Sequence, residues 1–574
     1  VLGVNAYAHA RRLGSLALAA TAALVLTACG DRHDPAPPAP AHAAATAAAT
    51  AAPAPPADPD SLAAAWARDH APLQSALRPD AVADWQAAVV GGPLIEIDAK
   101  LDPATGTVVG TQRTWLGTGG REPAGTIALR CPANGAAFHG AGMVIGRAAW
   151  NGTTLPPPTL SADGTGLAWT LPWTLTPGMT GCLTTPFTAL CSTTGGFHGL
   201  LARQGGHWCL YHWHPELAAW RDGGWFLPPV TGIGDESQTI LAPVLARLTV
   251  PAGAQVIAAG IIARAPADPG WETVTIAAPT CRNLALEVVS GDDQRLAMGE
   301  LVIDGVHVRS WAAPADADSG ARALAVAVDS VRVYDQDFGR YPLNGLDVVE
   351  TVQGDDVGGM ESSGLVFIDS RMYAMCDGLG PKDGAEILPV LMLSEAVAHE
   401  VGHQWWYGLV GSDAFADPWL DESLTNASED LVIEDLYGAT GRRGARNLHL
   451  LECLARPELL NAAINRPLAA YTAMNDYGVV VYGRGALMYL ALRQRLGDER
   501  YLAWLRAWQD AHRYRVATEA DWRAHLAEAL GADQAAAFAN LWLSGDGMTR
   551  ATVMATVYPH AGAPAATAPA PAAP

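Results

Sequence analysis

The stretch 397–424, VAHEVGHQWWYGLVGSDAFADPWLDESL, decides how the second half of this chain is read. Its first part, His399-Glu400-Val401-Gly402-His403, lies in a run from Leu391 to Tyr407 with few helix breakers apart from Gly402. On a helix, positions i and i+4 share a face. Two imidazoles so spaced reach one metal ion, and the Glu between them points at a water on that ion. A chain with 16 His and 58 acidic residues would carry this pattern by chance in roughly two cases in a hundred. A second signal is therefore needed, and Asp417-Pro418-Trp419-Leu420-Asp421-Glu422 supplies it. Asp417 reads as the N-cap of a new helix, with Pro418 in its first turn. Leu420, Leu424, Ala427 and Leu431 form the apolar stripe, and Gly438 ends it. Glu422 lies off that stripe, with eighteen residues between it and His403. Two His and one Glu, with a fourth position left to water, is the pattern of a catalytic zinc. One Zn2+ per chain is expected, held by His399, His403 and Glu422, with Glu400 as the base. Asp421 and Glu429 are candidates for supporting the ligands. Glu429, two turns beyond Glu422, either hydrogen-bonds a zinc-bound imidazole or is a solvated helix charge.

Upstream the texture differs. Residues 61–90 read as helical. Ile95, Ile97, Ala99 and Leu101 then alternate with Glu96, Asp98 and Lys100, a strand half exposed to water. Short strands and Gly/Pro turns continue to about residue 290, which reads as an all-β domain. Val302–Ser310 alternates as a strand, Ala321–Phe338 as a long helix ending at Gly339, and Leu346–Val349 as a buried strand. Long helices dominate from Leu388. The boundary falls near residue 295, giving a β domain with a leading helix over 61–295 and a mostly helical domain over 296–558: an α+β multidomain protein.

The ends carry other signals. Arg11-Arg12 precedes the apolar run LGSLALAATAALVLTA (13–28), too short and Ala-rich for a membrane span and laid out as a secretory leader. Leu26-Thr27-Ala28-Cys29 resembles the lipobox of bacterial lipoproteins, which implies lipidation of Cys29 and a leader over 1–29. Gly30, where Asp would retain an inner-membrane protein, implies an outer-membrane destination. The Ala/Pro/Thr-rich stretch 30–60 reads as a tether, and 559–574 as a disordered tail. The expectation is an exported protein of the bacterial cell envelope, facing the periplasm or the surface on a lipid anchor. A net charge of -22 would be repelled by phosphate, which argues against nucleic acid as a partner.

Three further motifs, with the stretch quoted first, resemble the aminopeptidase N family of gluzincin zinc peptidases. That family carries HExxH, eighteen residues, then Glu within W-L-[N/D]-E. Gly358-Gly359-Met360-Glu361-Ser362 resembles its GAMEN-type exopeptidase motif, and Gly364-Leu365-Val366-Phe367-Ile368 follows as a strand would. Tyr482-Gly483-Arg484-Gly485 resembles the family's Y-x-K-G, with Arg for Lys, and Tyr477 matches a second tyrosine of some members. The resemblance covers about residues 85–545 and is strongest over 340–500. It implies a saddle-like β domain followed by a thermolysin-like catalytic domain. It implies a zinc metallopeptidase acting on peptides, an aminopeptidase in which Tyr482 serves the oxyanion. Glu361 would bind the substrate amine, and Gly358, Gly359, Met360 and Tyr477 would line the substrate. Ser362 departs from the motif's usual Asn. The family's second amine-holding residue has no clear counterpart, Glu216 being a weak candidate. The family's large C-terminal helical domain has none either, so an open cleft admitting endopeptidase cleavage is the alternative expectation. A catalytically silent binding module is the third.

Smaller clusters complete the reading. His207, Cys209, His212 and His214 could hold a second metal, but one strand would send His212 and His214 to the same face as a packing pair. Trp208, Trp213, Trp220 and Trp225 read as β-domain core. Cys182 and Cys191 are close enough in sequence to close a small loop, and the absence of C-x-x-C excludes that redox or zinc spacing.

Overall fold

The computed structural model describes residues 60–559, apart from 118–123, 177, 196, 236–239, 292–294, 354–356 and 377–386. The expected leader, Cys29, most of the tether and nearly all of the tail lie outside the described residues. Helix α1 (Asp60–Gln74) leads into the β-rich half. The expected helix over 61–90 is broken: at Arg78-Pro79 the chain crosses to the catalytic half, where the Arg78 amide donates to Pro342 O at 2.8 Å, and a second helix covers Val82–Val89. Pro79 cannot continue a hydrogen-bonded turn, and it restricts Arg78 to extended backbone.

The β half is built on a nine-stranded sheet. Its strand Leu94–Asp102 runs parallel to Val244–Pro251 and antiparallel to Thr107–Gly117. Two four-stranded sheets pack with it around a core that includes Ile97, Leu129, Trp169, Trp213 and Val288. Trp208 and Trp213 are buried there, whereas Trp220 and Trp225 sit half-buried, edge to face, on a small hairpin. Cys182 and Cys191 flank nearly the full length of the strand Thr180–Leu190. Nine residues of extended chain span about 30 Å, so the expected small loop cannot form; both thiols are free and buried.

The second half opens with β1 (Ala297–Ile303) and β2 (Val306–Ala312). The single strand expected over Val302–Ser310 is thus a hairpin. Asp304 and Gly305 both take positive φ, as a two-residue primed turn requires, and the Asp-Gly pair was the signal for it. Helix α2 (Ala317–Asp337), β3 (Gly345–Thr351), β4 (Gly359–Ser362) and β5 (Leu365–Asp369) complete a sheet of order β1-β2-β3-β5-β4. Alternation divides its side chains: Val348, Val366 and Ile368 join the helical core, while Val349, Leu365 and Phe367 join the β-domain core. Both faces are therefore covered, which explains its unbroken apolar runs. Glu361 pairs with Val366, and Met360 with Phe367, so the pleat turns Met360 to the β domain and Glu361 to the helices. Helix α3 (Ile387–Gly402) packs on α2, with Tyr334 donating to Ala398 O at 2.9 Å, and α4 (Glu422–Ala455) packs on α3. Among the described residues no helix is long and apolar enough to cross a membrane.

Arg282, 5% exposed, fastens the two halves. It donates to Gly408 O at 3.1 Å, Leu409 O at 3.4 Å and Arg515 O at 3.1 Å. Removing it strands buried carbonyls, which cost about 1–3 kcal/mol each. Arg282→Met is expected to lower the denaturant midpoint of unfolding measurably, and an unchanged midpoint would show that the junction does not depend on this side chain.

Candidate metal centre and active site

His399 sits in the last turn of α3, and His403 follows immediately, its amide still bonded to His399 O at 3.2 Å. Glu422 is the first residue of α4. The cap of α4 differs from expectation: Asp417-Pro418 opens a short 3-10 turn, and Asp421 caps the helix, accepting from the Glu422 amide at 2.7 Å. Ser412 Oγ donates to the same carboxylate at 2.9 Å. Gly438 does break α4, at φ 58°. The break frees the first four turns to align with α3.

His399 Nε2 lies 3.0 Å from His403 Nε2 and 3.2 Å from Glu422 Oε2; His403 Nε2 lies 3.5 Å from that oxygen. Tetrahedral ligands at about 2.0–2.1 Å from zinc are about 3.3 Å apart, so the three donors fit. The far ring nitrogens are engaged: His399 Nδ1 with Glu429 Oε2 at 3.1 Å, and His403 Nδ1 with Trp406 O at 3.0 Å. Both fix the tautomer that leaves Nε2 with its lone pair toward the metal. The donor set, two imidazoles and one carboxylate, suits a divalent ion of borderline softness.

Glu400, 6% exposed, faces β4 across the cleft, and its Oε2 is buried without a hydrogen-bond partner among the described residues. A Cβ on Gly359 would stand 2.4 Å from Glu400 Oε1, so only glycine lets strand and base approach this closely. Gly358 precedes the strand, with Met360 buried behind it. Ser362, in place of Asn, bonds the other way: its hydroxyl donates to Asn283 O at 3.0 Å and accepts from the Ala285 amide at 3.2 Å. Gln404, next to His403, bonds Ser362 O and the Gly364 amide at 2.9 and 2.8 Å. Strand β4 is thus held from both halves.

Tyr482 lies in a π-helical segment, Gly478–Arg484, with its ring 5.8 Å from His399 and 5.6 Å from Tyr477. Its hydroxyl reaches Glu422. The segment is pinned to α4 by Ser423 Oγ donating to Val481 O at 2.6 Å and Asn426 donating to Tyr482 O at 3.3 Å. Arg484, where Lys is usual, is fully buried and bonds Leu459 O, Leu460 O and Trp542 O. The Tyr477 hydroxyl is buried, with no hydrogen-bond partner among the described residues.

Glu216 is not at this site. It is buried in the β half against His212 Nδ1, 2.5 Å away. His212 has a left-handed φ of 55° beyond the strand His207–Leu210, so the expected same-strand pair with His214 does not exist; His214 faces Gln112, and His207 faces Glu287. No metal-ligand group forms there among the described residues. The acidic residue that the β half does contribute is Asp235, from the Pro/Gly-rich loop after Phe226. It hydrogen-bonds Glu422 and lies in the field of Glu361. Sequence reading missed it because a lone Asp in an irregular loop has no periodicity, and its only mark was a short Gly-flanked polar run.

Burial raises the Glu361 carboxyl to about 8 and Glu400 to about 7, with neighbouring acids adding to both. Burial and Glu422 raise Asp421 to about 7. Burial opposes charge on Glu422 too, but hydrogen bonds from Asp235, His399 and His403 hold it well below its ordinary value. A cation held by the two imidazoles and Glu422 would offset the cost of burying these acids.

Two imidazoles one helix turn apart and a carboxylate from the next helix form a gluzincin-type donor set on this two-layer scaffold. Residues 322–542 match the family model described as the peptidase family M1 domain. Aminopeptidase N of Lactococcus lactis subsp. lactis is 27% identical over 254 residues, 42% of this chain and 29% of the relative. Aminopeptidase 2, mitochondrial, of Saccharomyces cerevisiae is 25% identical over 41% of this chain and 25% of its own length. The match thus spans under a third of these curated relatives. The crystal structure of an M1 zinc metallopeptidase from Deinococcus radiodurans superposes with a TM-score of 0.55 at 21% identity, covering 80% of this chain and 95% of that one. The segment 322–542 is thus similar to the peptidase family M1 domain, and the curated relatives it resembles are aminopeptidases.

Glu429→Gln is expected to weaken metal binding about 10–100-fold, read by competition with a chromogenic chelator; unchanged affinity would show that Glu429 does not support the ligand. Gly359→Ala is expected to abolish turnover while metal content stays at the wild-type level.

Proposed function

We propose that the protein is a zinc-dependent aminopeptidase that removes N-terminal residues from peptides. The observation that carries this reading is the buried carboxyl of Glu361 on strand β4, with an oxygen within 4.8 Å of Glu400 and of His403 beside the three-ligand centre, and with Asp235 in its electrostatic field. A variant of the Deinococcus radiodurans enzyme was crystallised with a Tyr-Ser-Ala substrate, a free-amine peptide of the kind this site would accept. Zinc held by His399, His403 and Glu422 would supply Lewis-acid polarisation of the scissile carbonyl and acidify the attacking water. Glu400, with its free Oε2, takes the proton from that water and passes it to the leaving amine. The Tyr482 hydroxyl donates to the oxyanion as it develops, a contribution of about 3–4 kcal/mol to the transition state. Glu361 and Asp235 hold the α-ammonium and so set the distance from the chain end to the cut bond. Strand β4, an edge strand, offers backbone groups to the extended substrate.

Glu400→Gln is expected to keep zinc and lose turnover; full activity would remove Glu400 as the base. Tyr482→Phe is expected to lower kcat about 100–1000-fold at unchanged zinc content. A peptide series with free and acetylated N-termini, assayed with and without chelator, tests the exopeptidase reading. Chelator-sensitive cleavage of free peptides alone supports it, cleavage of both series makes the protein an endopeptidase, and cleavage of neither makes it a binding module. Asp235→Asn is expected to raise KM for free peptides, and an unchanged KM would leave Glu361 as the sole amine anchor.

We also propose that the protein is exported and anchored in the outer membrane through lipid on Cys29, on the strength of the leader-like run before it. Acyl labelling of the wild type and its loss in Cys29→Ser would support this; an unlabelled wild type would sink it.

A further inference from the structure

Besides Asp235, the β half reaches the cleft at a second place. Strand His207–Leu210 pairs antiparallel with Leu286–Val289, with Leu210 opposite Leu286, so Tyr211 leaves its strand beside the segment 283–285. That segment is tied to strand β4, where Ser362 Oγ donates to Asn283 O and accepts from the Ala285 amide. Ser362 is the chain neighbour of Glu361, so Tyr211 and Asn283 are carried to the Glu361 end of the site. Tyr407 comes from the helical half. Its ring stands edge-on to His403 at 6.5 Å, and its hydroxyl donates to Asn283 Oδ1 at 2.7 Å. All three side chains are more than nine-tenths buried, with 1% exposure for both tyrosines and 4% for Asn283. The fields of Glu361 and Asp235 reach the Tyr211 hydroxyl, and that of Glu361 reaches Tyr407. Tyr211 and Asn283 face each other, yet neither the Tyr211 hydroxyl nor Asn283 Nδ2 has a partner in hydrogen-bonding geometry among the described residues. Buried polar groups left in this state are costly. Tyr407 adds a separate mark: its φ is 134°, a conformation that residues with a side chain rarely adopt and that gathers at functional sites. The turn that imposes it is closed by the Tyr407 amide on Val410 O at 2.8 Å, and it sets the phenol against Asn283.

We propose that Tyr211 and Asn283 receive the first side chain of the substrate and select a hydroxyl on its β-carbon, so that the enzyme prefers peptides that begin with serine or threonine. The inference rests on the aminopeptidase reading, with Glu361 as the amine anchor. The α-nitrogen and the β-carbon of a substrate are bonded to the same carbon, so whatever borders Glu361 also borders the first side chain. A hydroxyl on that β-carbon is only one bond further out. With Asn283 Oδ1 taken by Tyr407, Nδ2 is the free end of the amide and donates, while the Tyr211 oxygen accepts. A single hydroxyl accepts from the one and donates to the other, which satisfies both buried groups at once. A hydrogen or a methyl in its place leaves both unpaired, and a site built to bond a hydroxyl rejects the analogue that lacks it for this reason. Tyr407 is the residue that orients the amide for this contact.

The test is a pairwise comparison on the zinc-loaded full chain. It measures kcat/KM for X-Leu-Ala peptides in which X is serine or alanine, and threonine or valine, pairs that differ by the hydroxyl. The serine and threonine peptides are expected to be cleaved at least about tenfold more efficiently than their partners. Tyr211→Phe, which removes one oxygen and keeps the ring, is expected to bring both ratios down toward one, and Asn283→Leu is expected to do the same. Equal efficiency for both members of each pair in the wild type overturns the proposal, as does a preference that survives both Tyr211→Phe and Asn283→Leu unchanged. If neither variant folds, the wild-type ratios decide alone. Failure to release the first residue from any free-amine peptide would overturn the aminopeptidase reading itself, and this inference with it.

Discussion

The contact between His399 Nδ1 and Glu429 Oε2, 3.1 Å long and buried, joins the two helices on which the site depends. Helix α3 supplies two imidazoles by local geometry, but an imidazole rotates about two bonds and has two nitrogens to offer. Glu429 fixes the tautomer of His399 and the orientation of its ring. It also sets the rotation of α4 against α3, and Glu422, two turns earlier on the same face, is carried to the metal by that rotation. The Gly438 break matters for the same reason, since it lets the first turns of α4 follow α3 while the rest of the helix takes another course.

The second organising feature is strand β4. Among the described residues it is the edge of a five-stranded sheet, with one side unpaired. Gln404 bonds both ends of the β4–β5 turn, so the residue after His403 also holds β4 in place beside the three-ligand centre. Ser362 serves the β half instead, bonding Asn283 and Ala285. An Asn here would bring a longer, doubly polar side chain into a place where a single hydroxyl meets one donor and one acceptor. The substitution is thus matched by the segment 283–285 and leaves Glu361 on the face that the pleat assigns to it.

Much of this was legible in advance where the determinant was local. The i, i+4 spacing of His399 and His403 is one helix turn, and the strand alternation at Ile95–Leu101 is the pleat itself. Where local signals were overlooked, they were short: Asp304-Gly305 turns a hairpin inside what reads as one strand, and Pro79 keeps Arg78 extended between two helices. Cys182 and Cys191 misled because proximity along the sequence becomes about 30 Å once the chain between them is extended. His212 and His214 misled because a left-handed residue at 212 ends the alternation on which their pairing relied.

The sequence by itself determined the chemistry: which side chains can hold a metal, which can move a proton, and that a β-rich half precedes a helical one. Such determinants act within a few turns of one element, and side-chain periodicity records them. Only the tertiary structure decided which acids share the cleft. It excluded Glu216, which is buried against His212, and it brought in Asp235 from an irregular loop of the other half. It also closed Glu361 against Glu400 across a gap that only glycine leaves open. Those pairings span up to about two hundred residues of chain and follow from how two cores close on the faces of one sheet, which no local pattern encodes.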